Sequence, residues 1–235
     1  MINKIKVLAL MLAMISTNIL AQEAAKPAAK EAEKTKNDSD QIVYQLAMRY
    51  NDTNVAKVKL YELMERNPNN IRYSELLATL YFEMEQYASA ALVAMDIVER
   101  NKNNTTGLEI AAYSLEQLGA LDRSLRHFES LHLISGDLFS LYKTAYLQYT
   151  LKKYDEALNS VNMLAKNSKV DEEKLAFPMK DNEQQEVNMR AAALNLKGLI
   201  YKDQGSNAEA KKAFDEALLS EPDFEVVKEN LASLK

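Results

Sequence analysis

The sequence predicts an all-α fold, a solenoid of about five helix pairs closed by a C-terminal helix, and three observations carry that prediction. Small or hydroxyl residues recur at Ala56, Ala90, Ser124, Ala157 and Ala210, in steps of 34, 34, 33 and 53 residues. A period in this range marks a stacked repeat, and the last step is one period plus an insertion of 19 residues. Around these positions large apolar residues return three and four apart, the spacing of one helix face. Two of only four prolines, Pro68 and Pro222, each fall 12 residues after a member of the series, where they would end a helix.

The elements follow in order. Residues 1–21 read as a removable export signal: Lys4 and Lys6 form a basic start, Val7 to Leu20 are mostly apolar, and Ala21 offers a small residue for cleavage. The apolar run contains Ser16, Thr17 and Asn18 and is shorter than a membrane-spanning helix needs. An uncleaved N-terminal anchor is the alternative. Residues 22–40 hold no large aliphatic or aromatic residue, so they cannot bury enough apolar surface to offset the entropy of ordering. They read as a flexible tether, with a short exposed helix as the other possibility.

The last unit is the clearest. Leu194, Gly198 and Tyr201 share one helix face, Ala210, Phe214 and Ala217 share the next, and Gly205 stands between them where the chain must turn. Helices joined by so short a turn approach closely only where they cross on Gly, Ala or Ser, which assigns Gly198 and Ala210 to the crossing.

Leu194, Gly198, Tyr201, Ala210, Phe214 and Pro222 resemble the tetratricopeptide repeat in residue type and spacing, with Lys197 at a position that the pattern usually keeps apolar. The match continues through Leu77, Ala78, Tyr81, Tyr87 and Ala90, then Ala112, Gly119, Ser124 and Phe128, then Ala145, Tyr154, Glu156 and Ala157. Ala56, Leu60, Leu63 and Pro68 keep the same phase in the first unit. The resemblance implies a right-handed α-α superhelix with units at about 41–70, 71–104, 105–137, 138–166 and 191–224. An insertion at 167–190 and a capping helix over 225–235 complete the chain.

Within the insertion, Asp181 and Gln184 read as a capping box, and Val187 leads into Ala191 and Leu194 at helical spacing. The expectation is a last-unit helix that begins near Asp181. Residues 167–180, with Phe177 and Met179, would form a loop folded back on the array, either a tolerated surface insertion or a lip on a binding groove.

Little in the chain points to chemistry. There is no cysteine, so neither a disulfide nor a thiolate metal site is available. His127 and His132 lie five apart in one helix and point to different faces, and the five glycines are isolated, with no phosphate loop. The formal net charge is −5, more negative by two once Lys4 and Lys6 leave, which argues against nucleic acid and anionic membrane surfaces. The reading is a non-enzyme without metal or cofactor.

The resemblance further implies that first helices line a concave groove, through residues off their packing face. These are Arg72, Glu75, Thr79, Phe82 and Glu83 in the second unit and Glu109, Tyr113, Glu116 and Gln117 in the third. Tyr142, Tyr146 and Tyr149 follow in the fourth, and Asn195, Leu199, Lys202 and Asp203 in the last. Tyr149 has two readings: groove, or packing between units in place of the ring that Gln148 fails to supply. The function expected is an exported, periplasmic or envelope-associated protein-interaction scaffold that docks a peptide or helix. A small-ligand or glycan-binding accessory role for the tyrosines is the alternative.

Overall fold

The computed structural model describes residues 30–179 and 183–234. The leader, residues 22–29 of the tether and Asp181 lie outside them. Ten elements in chain order make five helix pairs: α1 (30–49), α2 (Thr53–Arg66), α3 (Ile71–Glu83), α4 (Tyr87–Arg100), α5 (Thr105–Gln117), α6 (Leu121–Ser135), α7 (Leu138–Thr150), α8 (Tyr154–Lys166), α9 (Met189–Asp203) and α10 (Asn207–Ser220). A two-stranded hairpin, β1 (Lys174–Pro178) and β2 (Gln184–Asn188), separates α8 from α9, and α11 (Glu225–Ala232) follows α10. The fold is an all-α solenoid by class. It divides into two compact units, one ending at Leu80 and one beginning at Tyr81.

The five periodic residues are where a helix crossing needs them. Ala56, Ala90, Ser124, Ala157 and Ala210 are each 0% exposed. Where the series carries a hydroxyl instead of a methyl, the Ser124 Oγ donates to the Ala112 carbonyl at 2.7 Å, so no polar atom is stranded. At the last crossing a Cβ on Gly198 would sit 2.3 Å from Phe214 Cε1, so the ring occupies the space that any side chain would need.

A second periodic series runs five residues ahead of the first. Asn51, Glu85, Gly119, Lys152 and Gly205 all adopt positive φ, between 57° and 77°. In each turn the N–H of the following residue donates to a carbonyl five back: Asp52 to Ala47, Gln86 to Tyr81, Ala120 to Leu115, Lys153 to Gln148 and Ser206 to Tyr201, at 2.8–2.9 Å. These are Schellman closures, and the residue that donates is also the N-cap of the next helix. Glycine announces two of the five turns; Asn51, Glu85 and Lys152 make the same turn against steric resistance to the left-handed region. Glu85→Gly and Lys152→Gly should therefore each stabilise the protein by roughly 0.5–1 kcal/mol, the relief of left-handed strain less the chain entropy of glycine. Thermal or denaturant unfolding of the double variant checks this, and an unchanged midpoint would refute it.

In the first unit, α1 begins within the expected tether. Residues 30–40 are helical, the other possibility for this segment. Asp40, 6% exposed, accepts from Arg66 and pairs with Lys59 at 2.9 Å, while Asn37 joins Arg66 and Asn67. Burial pushes the Asp40 carboxyl up, yet Lys59 and Arg66 outweigh it and hold it below the ordinary aspartate value. Polar clamps hold this end of α1, which a search for apolar surface misses.

In the second unit each helix from α4 to α11 packs on its neighbour in sequence, the contact pattern of a linear array. The insertion does not interrupt it: α9 packs on α7 and α8 directly. The insertion itself corrects the expectation of a loop and an early helix. Leu175 pairs with Val187, both are buried, and α9 starts at Met189, capped by the Asn188 side chain, which accepts from the Ala191 N–H at 2.8 Å. Alternation with period two over 174–178 and 184–188 puts Leu175, Phe177, Gln185 and Val187 on one face, and that face is the one the array covers. Arg190 closes the base of the hairpin, donating to Asp171 at 2.8 and 2.9 Å.

The hairpin also holds the C-terminal end. The Phe177 ring meets Phe224 edge to face at 4.8 Å. Gln185 donates to the Asp223 carbonyl and accepts from the Glu225 N–H, and the Asn188 side chain bonds Ser220 and Glu221. α11 then caps the last pair by burying Phe224 and Val227.

Candidate functional site

The site forms in the second unit around α7. Asp137 caps that helix by accepting from the Ser140 N–H, which fixes where its faces begin. Leu138, Leu141, Ala145 and Leu147 turn inward, leaving Phe139, Lys143 and Tyr146 on another face at spacing four and three, with Tyr142 beside them. Phe139 is 39% and Tyr146 43% exposed, and Tyr142 is half-buried.

Two adjoining clefts share Phe139. The first, of about 380 Å³, is lined by Glu109, Tyr113, Asp137 and their neighbours from α5 to α7. The second, of about 550 Å³, lies between α7 and strand β1, with Glu116 of α5 at its side. Its wall is apolar and aromatic, interrupted by three charges: Glu116, Lys143 and Lys174.

Lys143 organises the floor. Its Nζ lies 2.6 Å from Glu116 Oε1 and 5.6–5.7 Å from the ring centroids of Tyr113, Phe128 and Tyr146. The cation therefore neutralises Glu116 and lies against three negative ring faces, which fixes the tilt of those rings. Tyr113 is further held edge to face on Phe128 at 5.0 Å and near Phe82 at 6.3 Å. Burial, reinforced by Glu109, Glu116 and Asp137, pushes the Tyr113 hydroxyl up. Burial and Tyr146 do the same to Tyr142. Both phenols remain protonated and able to donate a hydrogen bond.

The expected groove residues separate into those this site gathers and those it does not. Glu116, Tyr142 and Tyr146 line the second cleft, and Glu109 and Tyr113 the first. Phe82 backs Tyr113 and packs on Tyr87 at 5.6 Å. Arg72 and Glu75 belong to the first unit, where they pair at 3.4 Å.

Three expected groove residues are used elsewhere. Tyr149 packs toward Tyr154 at 6.3 Å, and burial together with its hydrogen bond to Asp203 pushes its hydroxyl up to about 12. Gln148 keeps the buried position by bonding, accepting from Ser160 Oγ at 2.7 Å and donating to Glu129 at 3.3 Å. Asn195 is buried and accepts from Asn230 of α11 at 2.9 Å, and Lys202 donates to Ser233 at 2.7 Å. The capping helix thus takes the face of the last unit that an open groove would have used.

Sequence reasoning passed over Phe139, Lys143 and β1. The spacing Phe139, Lys143, Tyr146 was a usable signal, since it places all three on one helix face. For metal chemistry the described residues offer no cluster of three or more suitable ligands. His132 Nδ1 is 2.8 Å from the carbonyl of Asp137, the N-cap of α7, and burial with Arg123 and Arg126 of α6 pushes His127 of the same α6 down. No helix among the described residues is long and apolar enough to cross a membrane.

No protein-family model and no curated protein sequence matches the chain. Solved structures do. YrrB, described as a TPR protein with an unusual peptide-binding site, superposes with a TM-score of 0.65 at 15% identity, over 86% of this chain and 95% of that one. A tetratricopeptide repeat protein from Parabacteroides merdae gives 0.63 at 18% identity, over 84% and 72%. MamA gives 0.61 at 14% identity, over 79% and 92%. With the helix pairs, the crossings and the turns in register, the fold is that of the tetratricopeptide-repeat proteins.

Proposed function

We propose that the protein is a non-catalytic interaction scaffold that holds a peptide segment of a partner protein in the cleft between α7 and β1. The observation that carries this is the lining of that cleft. Exposed Phe139 and Tyr146 stand beside half-buried Tyr142, over a Lys143–Glu116 pair whose ammonium lies against the Tyr146 ring. Rings fixed in advance lose little conformational entropy on binding, and aromatic anchors of this kind dominate interface energies. The peptide-binding site ascribed to YrrB is consistent with such a use of the fold. The basic and apolar pattern of residues 1–21 adds the proposal that the scaffold works in the cell envelope after export, on the periplasmic side.

The test is capture of a partner from an envelope extract with the full chain as bait, repeated with Tyr146→Ala and Phe139→Ala. Both side chains are well exposed, so their truncation should leave the melting temperature within about 2 °C. Each should weaken the captured partner by roughly tenfold or more. A partner retained equally by the double variant would place the interface elsewhere. Retention of oligosaccharide with no protein partner would replace the peptide reading by a glycan one.

A further inference from the structure

The geometry points to strand addition at the outer edge of β1: the ligand is an extended acidic peptide that pairs its main chain with Lys174 and Ala176 while its side chains lie on the α7 rings. This deepens the peptide-binding reading and rests on it.

The phase of the hairpin decides which amides are free. Met179 donates to the Glu183 carbonyl and Met189 to the Glu173 carbonyl, both at the ends of the register Leu175↔Val187, Phe177↔Gln185. In an antiparallel pair bonded residues alternate with unbonded ones, so Leu175 and Phe177 spend their main-chain groups on β2. Lys174, Ala176 and Pro178 turn theirs outward. The opposite strand corroborates the phase: Asn188, paired with Lys174, turns its N–H away from β1 and donates it to Glu221 at 3.0 Å. The outer edge of β2 is thus engaged by the α10–α11 junction. Among the described residues no hydrogen bond reaches the outward groups of Lys174, Ala176 or Pro178.

That free edge borders the second cleft, whose lining includes every residue of β1 and none of β2. An unpaired edge invites another strand, and Pro178, which has no N–H to offer, sits where only the outward donor is lost. Charge selects the partner. Glu116 is committed to Lys143, whereas Lys174 is 64% exposed with Glu186 at 3.9 Å, so the remaining charge on the cleft wall is an ammonium. An extended peptide with carboxylates and apolar side chains in alternation satisfies the edge, the rings and Lys174 together.

The probe is a fluorescein-labelled, end-blocked octapeptide in which aspartate alternates with valine, titrated against the full chain by anisotropy. Two derivatives are N-methylated at alternate amides in the two possible phases, and a fourth peptide replaces aspartate with lysine. Strand addition predicts that one methylated phase loses binding about tenfold more than the other, because only one set of amides meets the edge. It also predicts that Ala176→Pro, which removes an outward donor and no ladder bond, weakens the parent peptide by about tenfold, and that the lysine peptide binds more weakly than the parent.

No binding of the aspartate peptide up to about 1 mM overturns the proposal, as does tighter binding of the lysine peptide. Equal binding of both methylated phases, in a protein where Tyr146→Ala still weakens the parent, overturns strand addition and leaves the aromatic cleft standing. Indifference to Tyr146→Ala, Phe139→Ala and Ala176→Pro together removes both readings.

Discussion

Gly198→Ala should destabilise the protein by about 2 kcal/mol, although glycine to alanine inside a helix ordinarily stabilises by about 1 kcal/mol. The sign reverses because of one ring. The added Cβ would lie 2.3, 2.5 and 2.7 Å from Cε1, Cδ1 and Cζ of Phe214, which is itself fully buried. Neither partner can yield: Gly198 is in the middle of α9, and the Phe214 ring is packed within the core that α9 and α10 share with the capping residues Phe224 and Val227. Overpacking of this kind forces backbone shifts or an unfavourable rotamer, at a cost of roughly 1–3 kcal/mol or more, which exceeds the propensity gain. Denaturant unfolding measures the loss. Phe214→Leu should cost stability alone but relieve the clash, so the double variant should be more stable than the sum of the two losses allows. If Gly198→Ala unfolds at or above the parent midpoint, α9 and α10 do not cross at this residue.

How far the sequence reaches can be seen at that same crossing. Gly198, Ala210 and Phe214 are local to two helices, and their types follow from contact between them, so period and residue size together reveal the fold. The turns are only half legible. Gly119 and Gly205 display their positive φ, but Glu85 and Lys152 adopt it because the Schellman bonds and the following helix hold them there. The hairpin was hidden because Val187 satisfies both periods: it lies four before Ala191, as in a helix, and opposite Leu175, as in a strand. Pairing between segments twelve residues apart at their facing leucine and valine leaves no mark on either segment read alone.

The site was legible in its rings and not in its limits. Tyr142 and Tyr146 follow from helix spacing. That Tyr149 turns to Asp203, and that Asn195 and Lys202 are taken by α11, depends on elements distant in sequence. The resemblance to a repeat family treats the groove face as open along the whole array. Here the chain uses part of that face to close its own end, while a cleft lies between α5, α7 and β1.

Ala157→Asp should be the most damaging single change in the second unit, lowering the unfolding transition by about 10 °C or more. Ala157 is fully buried among Leu141, Ala145, Val161 and Leu164 in the core shared by α7, α8 and α9. A carboxylate there gives up its hydration, and an unpaired buried charge costs on the order of 3–5 kcal/mol, a large share of a domain's net stability of about 5–15 kcal/mol. In a linear array the damage spreads to the neighbours, since α9 relies on α7 and α8 for its inner face. Size and polarity can be separated by Ala157→Ser. Ser124 stands at the same point of the repeat, 12 residues after Ala112, and its hydroxyl bonds the Ala112 carbonyl at 2.7 Å. Ala145 precedes Ala157 by the same interval, so the introduced hydroxyl should find the Ala145 carbonyl and leave stability within about 1 kcal/mol of the parent. A serine as harmful as the aspartate would mean that the fourth crossing is not built like the third, whereas an aspartate that melts with the parent would remove Ala157 from the crossing altogether.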